Sequence, residues 1–292
     1  MSPAPRRPLV ALGSVRDWPG TSAVAVLDLS GPGGPSPLGS TGPVDRPFEW
    51  ASLTKPATAL AVLVAAEEGI LSLDEPAGPS GSTVRHLLAH ASGLGPDPGP
   101  PVARPGVTRI YSNPGFQLLG ELVAARARMD FADYLRDGVL APLGMTATTL
   151  DAAAVGAPAA AGLHGPLTDL LHLGAEWAAP TLVATETHDA ARRVAFPGLP
   201  GVLPGFGRFD PCDWGLGVEI RGGKQPHWTG ADNDPATYGH YGRAGSFLWI
   251  DPSASVLCAG LGDRDFGPWA ARAWPRLADD ILRELATSGT EG

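Results

Sequence analysis

Lysine is nearly absent from this chain: of 21 basic residues only Lys55 and Lys224 are lysines, and arginine supplies the rest. Arginine keeps its proton at any working pH, whereas a buried lysine can give it up. A lysine kept at position 55 therefore hints at a need for a titratable amine. Cysteine is equally scarce. Cys212 and Cys258 are too few for a disulfide framework, and neither has a Cys or His neighbour at zinc spacing, so both are expected as buried free thiols. Runs of positive charge are missing: the formal net charge is -9 and the longest basic stretches are the pairs Arg6-Arg7 and Arg192-Arg193. Such a surface repels phosphate backbones and anionic lipid, which argues against nucleic acid and membranes as partners. Long apolar runs are missing too. The longest, 57–66, cannot span a bilayer, and the stretch after Arg6-Arg7 is too short for a secretory apolar core, so the expected location is the cytoplasm.

What is present is enough for a full core: 292 residues, 43% hydrophobic and 17% charged. Glycine and proline gather in 30–44, 76–106 and 197–211, which read as loops. Segment 22–29 alternates as a strand and 48–50 is a short second one. A buried helix is expected over 52–68 with Gly69 as its stop, and further helices over 83–90, 113–126, 131–139 and 167–178. Strands follow at 215–220, 246–250 and 255–261, then an amphipathic helix over 268–287. Strands at both ends with helices between them predict an α+β fold, one antiparallel sheet built from both termini with a helical region inserted. The expected organisation is a sheet region of 1–50 and 205–292 and a mainly helical region of 51–204, forming one catalytic unit with its site at their interface.

The sequence Ser52-Leu53-Thr54-Lys55 at a helix start puts a hydroxyl and an amine on one face, one turn apart. A serine hydroxyl is a weak nucleophile that needs a base at hand, and a desolvated lysine can serve. The helix N-terminus adds free N–H groups where an attacked carbonyl becomes an oxyanion. Tyr111-Ser112-Asn113 opens another helix, so a phenol and a carboxamide project together from a loop-to-helix junction. Tyr111 alone would read as a core aromatic; Asn113 two residues on gives it weight. His240-Tyr241-Gly242 immediately precedes the strand 246–250, which puts His240 and the Arg243 backbone N–H on the sheet edge.

Together these segments resemble the serine beta-lactamase and penicillin-binding superfamily, in its class C beta-lactamase, D-alanyl-D-alanine carboxypeptidase and esterase branch. Leu73-Asp74-Glu75-Pro76, 83–94 (TVRHLLAHASGL), 111–120, Pro142-Leu143-Gly144-Met145, Trp214-Gly215-Leu216-Gly217 and 239–252 are similar to family segments in family order, so the resemblance spans roughly 20–287. It implies a three-layer beta-lactamase/transpeptidase-like fold and no cofactor. It implies Ser52 as nucleophile, Lys55 as proton-handling amine and Tyr111 as general base or relay. Asn113 would orient Lys55 and the substrate amide, and His240 would position Tyr111 and substrate. Tyr241, Gly242 and Arg243 would bind substrate, with the N–H groups of Ser52 and Arg243 as oxyanion hole.

The third motif departs from the family's usual Lys-Thr-Gly. His240, neutral near pH 7, replaces the lysine, and Tyr241 replaces a small hydroxyl residue, so grip on a substrate carboxylate should weaken. The expected activity is an esterase or amidase of small acyl groups. The alternatives are a beta-lactamase or D-alanyl-D-alanine carboxypeptidase, acting on a peptide, and a non-catalytic relative that binds a ligand in the cleft. A second departure is the family's strand pair before the first motif, shortened to 22–50. No metal site is expected: His86 and His90 stand four apart on a helix, but no Glu follows His86. His164, His172, His188 and His227 read as surface or capping residues, and Trp214, Trp228 and Trp249 as core or pocket wall. Substrate choice is expected to reside in 95–108, 197–211 and 221–238.

Overall fold

The computed structural model describes residues 9–151 and 156–288; the Arg6-Arg7 pair lies outside them. A 3-10 turn, Val10–Asp17, precedes β1 (Ser22–Asp28), β2 (Ser36–Thr41) and β3 (Phe48–Glu49), and a second 3-10 turn, Ala51–Leu53, leads into α1 (Thr54–Glu67). The middle of the chain holds α2 (Val84–Leu88), α3 (Asn113–Ala127), α4 (Phe131–Leu135), β4 (Thr149–Leu150), α5 (Pro158–Ala161), β5 (Leu163–Gly165), α6 (Leu167–Ala178) and α7 (Thr185–Ala191). It ends in β6 (Gly201–Leu203), β7 (Gly207–Phe209), β8 (Glu219–Ile220), β9 (Tyr238–Gly242), β10 (Ser246–Asp251), β11 (Val256–Gly262) and α8 (Ala270–Ser288).

The main sheet runs β2-β1-β11-β10-β9-β8 with every neighbour antiparallel, so strands from both ends of the sequence interleave. Alternation along each central strand feeds two apolar layers, as the period of two requires. Ala23, Ala25, Leu27, Leu248, Ile250, Leu257 and Ala259 face the helical region. Val24, Val26, Phe247, Trp249, Val256 and Cys258 face α8, which supplies Trp274, Leu277 and Ile281. On the first of these faces α6 presses close enough to need glycine: a Cβ at Gly174 would lie 2.6 Å from Leu257 Cδ1. Beyond it, α1 is buried from Thr54 to Ala65 and packs on α3 and α5. Helix, sheet, helix: the fold is the expected α+β arrangement with an antiparallel sheet.

Three local expectations are corrected. Segment 30–44 is not all loop, for β2 lies in it; it carries Pro37 and Gly39 and is mostly exposed, which an edge strand tolerates and a pattern search misses. β1 and β2 are therefore the pair that precedes Ser52, while β3 joins a separate small sheet with β5 and β4. The 197–211 stretch folds as the β6–β7 hairpin. His240 does precede the expected strand, β10, but lies within a strand of its own, β9, which goes unannounced because the short Tyr-Gly-His-Tyr-Gly run has no apolar alternation.

Among the described residues no helix is long and apolar enough to cross a membrane. Both cysteines are buried free thiols. His164 and His172 are exposed, but His188 and His227 are buried, against the surface reading. His227 belongs to an ion cluster in which Glu219 is 2.7 Å from Lys224 Nζ and 2.9 Å from His227 Nε2, and accepts from Trp228 Nε1 at 3.0 Å. Burial alone would raise the Glu219 carboxyl, yet His227 and Lys224 together pull it down to about 2. With the folded value depressed, this contribution to stability is present above the ordinary carboxyl value of 4.5 and is lost as pH falls through about 2. Glu219→Gln leaves Lys224, 2% exposed, without its counter-charge. The expected cost is roughly 3–5 kcal/mol in urea unfolding; an unchanged midpoint would show that the cluster carries no net weight.

Candidate active site

Ser52 lies in the 3-10 turn and not in α1, because Ala51 adopts a left-handed φ of 46° that breaks the helical path just before it. A non-glycine residue held there is strained, and the neighbours that hold it are visible. Trp50 donates from its backbone to Leu163 O (2.9 Å) and from its indole to Gly165 O (3.0 Å), while Ser246 Oγ donates to Trp50 O (2.7 Å). Thr54 Oγ1 donates to Ala51 O and accepts from Leu163 N. The turn is thus tied to β5 on one side and β10 on the other.

Lys55, fully buried, points back to Ser52. Its Nζ is 3.1 Å from Ser52 Oγ, 2.8 Å from Asn113 Oδ1 and 3.0 Å from Ala160 O. An amide oxygen and a backbone carbonyl can only accept, so two N–H bonds of the amine are committed to them. The remaining tetrahedral direction, N–H or lone pair, faces the serine hydroxyl. Burial holds the Lys55 amine well below its ordinary value, which favours the lone pair.

Asn113 is the first residue of α3, whose N-cap Ser112 accepts from Gly115 N at 3.0 Å. Tyr111 sits just before the cap. Its side chain shares the cavity lining with Ser52, its ring centre is 4.7 Å from Lys55 Nζ, and desolvation pushes its phenol well above the ordinary value, opposed in part by the Ser52 side chain. His240, 1% exposed, stands 5.9 Å from the Tyr111 ring, centre to centre. Its Nδ1 is 2.8 Å from Tyr241 O, a pure acceptor, so Nδ1 carries the hydrogen and Nε2 is a bare acceptor. That Nε2 has no hydrogen-bond partner among the described residues. Burial, reinforced by the Lys55 charge, lowers His240 to about 3, which leaves the ring neutral.

The remaining sequence candidates divide. Tyr241 forms cavity wall: it packs with Phe206, Phe266, Trp228 and Trp274, and its hydroxyl donates to Pro204 O. Gly242 brings backbone against the Ser52 turn, since a Cβ there would lie 2.5 Å from Trp50 O and 3.2 Å from Ser52 N. Arg243 is exposed on the rim of both cavities that meet at Ser52. One cavity, about 250 Å³, is walled by Leu203, Pro204, Trp214, Tyr241 and Phe266. The other, about 650 Å³, opens past Asn113 and Gln117 toward Asp97 and Glu121. Sequence reasoning missed Ala160 O, the third partner of Lys55. A backbone carbonyl leaves no mark in residue type. It also missed the wall residue Phe266, which carries no chemistry of its own, whereas Leu203 and Pro204 fall in the 197–211 stretch expected to bear on substrate choice.

A family model for beta-lactamase matches residues 26–283. The chain belongs to the beta-lactamase family. A beta-lactamase of Mycobacterium bovis of known structure is 46% identical, with a TM-score of 0.89 over 94% of this chain and 99% of that one. The hydrolase EstCE1, which has promiscuous acyltransferase activity, is 17% identical with a TM-score of 0.75 over 94% and 96%, a likeness of fold alone. Penicillin-binding protein 4* of Bacillus subtilis is 31% identical over 134 residues, and the match covers 35% of this chain and only 30% of that relative's length.

Proposed function

We propose that this beta-lactamase-family hydrolase is a serine esterase or amidase that forms an acyl-enzyme at Ser52 with small acyl substrates. The observation that carries the reading is the Lys55 amine, whose one uncommitted direction points at the Ser52 hydroxyl from 3.1 Å. Ser52 Oγ attacks the carbonyl carbon while its proton passes to Lys55, either directly or with Tyr111 as a relay that takes the serine proton and gives up its own. Backbone N–H groups of Ser52 and Arg243 hold the oxyanion, the leaving group departs with a proton, and water repeats the sequence on the acyl-enzyme. We further assign the work to one catalytic unit made of the sheet region, 1–50 with 205–292, and the helical region, 51–204. The contact of Gly242 and Ser246 with the Trp50–Ser52 turn supports this.

The smaller cavity supports a modest apolar group on one side of the scissile bond, since about 150 Å³ accepts a benzene ring and this one has about 250 Å³. A neutral His240 offers no cation to a substrate carboxylate. Arg243 on the rim does offer one, and with the 46% identity to a mycobacterial beta-lactamase it favours a second reading, lactam hydrolysis. Intact mass after treatment with a fluorophosphonate or a fluorescent penicillin tests the acyl-enzyme; no adduct at Ser52 with either reagent points to a ligand-binding relative instead. Short-chain nitrophenyl esters, nitrocefin and a D-Ala-D-Ala peptide then separate the activities. Faster turnover of nitrocefin than of the esters would overturn the esterase reading.

The pH profile has a definite sign. A base that must be unprotonated gives kcat/KM that rises with pH, and because Lys55 is held below 10.5 the plateau arrives before an exposed lysine would titrate. His240, already neutral above about 3, adds no limb near 6.5. A limb near 6.5 that disappears in His240→Asn would contradict this assignment.

A further inference from the structure

His90, just past the end of α2, is tied to both sides of Tyr111. Its carbonyl accepts from Ile110 N at 2.9 Å and its Nδ1 accepts from Ser112 N at 3.1 Å, so the residues before and after the tyrosine hang on one histidine. Its ring lies 4.6 Å from the Tyr111 ring and meets Trp214 edge-on at 4.7 Å. Two observations make this more than packing. Reaching back to Ile110 and forward to Ser112 coincides with a left-handed backbone at His90, φ 55°, a conformation that costs a non-glycine residue free energy. And with Nδ1 accepting from a backbone N–H, the neutral ring must carry its hydrogen on Nε2, a buried atom with no hydrogen-bond partner among the described residues. The ring leaves one nitrogen unsatisfied while the other serves the tyrosine segment.

We propose that His90 is a positioning residue of the hydrolytic site: through its carbonyl and Nδ1 it sets the segment Ile110–Ser112 so that the Tyr111 phenol meets Ser52. The inference rests on the hydrolase reading above, and it assigns to His90 no contact with substrate. The neighbouring His86 has a different use, bonding Thr83 at the start of α2 and stacking on Phe196 at 4.2 Å.

The left-handed backbone makes the test clean, because asparagine and glycine both accept it. His90→Asn restores an acceptor near the Nδ1 position without the ring. His90→Gly keeps only the backbone carbonyl, and His90→Phe keeps the ring without the acceptor. Rates of Ser52 acylation by a fluorophosphonate and by a nitrophenyl ester, KM for the ester, and Tm are measured for all four proteins. His90→Asn is expected to stay within about threefold of the parent acylation rate, while His90→Gly and His90→Phe fall about 10- to 100-fold with KM little changed, the effect of a reactive group displaced by a fraction of an ångström. Equal rates in all three variants overturn the proposal, as does a loss that follows Tm whether or not an acceptor is present. A parent protein that takes no label at Ser52 overturns the hydrolase reading itself, and the two failures are therefore told apart.

Discussion

Lys55→Arg is expected to lower kcat/KM for an ester by roughly 10²–10⁴-fold, the range that a positioned proton acceptor contributes. The substitution supplies the positive charge that this chain elsewhere entrusts to arginine, and removes the ability to release a proton. It also forces a planar, larger head group into a fully buried site whose acceptors, Asn113 Oδ1 and Ala160 O, are arranged for a tetrahedral amine. Lys55→Met separates the two effects. Methionine fits the same channel beside the Tyr111 and Phe116 rings without the cost of burying an amine, so it is expected to lose as much activity while unfolding closer to the parent's urea midpoint than the arginine variant does. Steady-state ester hydrolysis and urea titration on both variants decide the matter. An arginine variant within tenfold of the parent would mean that the amine acts by charge alone.

Gly242→Ala should cost about 10²-fold in the acylation step, although the added atom is a single methyl. The glycine's φ is not the reason. A Cβ at this place would meet Ser246 Oγ at 2.3 Å, Trp50 O at 2.5 Å and Ser52 N at 3.2 Å. Ser246 Oγ already bonds Trp50 O, so neither neighbour is free to withdraw, and relief has to come from the strained Ala51–Ser52 turn. Moving that turn moves the hydroxyl away from Lys55 and the Ser52 N–H away from the Arg243 N–H, the two donors proposed for the oxyanion. Stopped-flow labelling by a fluorophosphonate measures the step directly. A variant that acylates at the parental rate would show that the turn yields without disturbing the nucleophile.

The parts of the fold that the sequence made legible are those where one side chain property dominates. β1 alternates, α1 is apolar on every side, and α3 opens on a Ser cap followed by Pro, so each is marked by composition. β2 and β9 are not, because their residues are small, mixed or polar and owe their conformation to the strand beside them. The same division runs through the site. Type and spacing name Ser52, Lys55, Tyr111 and Asn113, and the structure brings Ser52 and Asn113 within hydrogen-bonding range of Lys55 and the Tyr111 ring to 4.7 Å from its amine. What type could not disclose was the backbone: the Ala160 carbonyl on Lys55, the Gly242 main chain against Ser52, and the two bonds from His90 around Tyr111. The buried Glu219–Lys224–His227 cluster was hidden for a related reason, since its members are ordinary surface residues until the fold encloses them.

Both lysines of the chain are shut away, Lys55 at 0% and Lys224 at 2% exposure. Amine-directed reagents such as succinimidyl esters therefore find no lysine side chain to modify on the folded molecule. Lysine labelling becomes a record of opening: mass added at Lys224 counts excursions of the sheet region, and mass added at Lys55 counts excursions around Ser52. One reagent and one mass spectrum then read local breathing at two addresses, with no probe engineered into the protein.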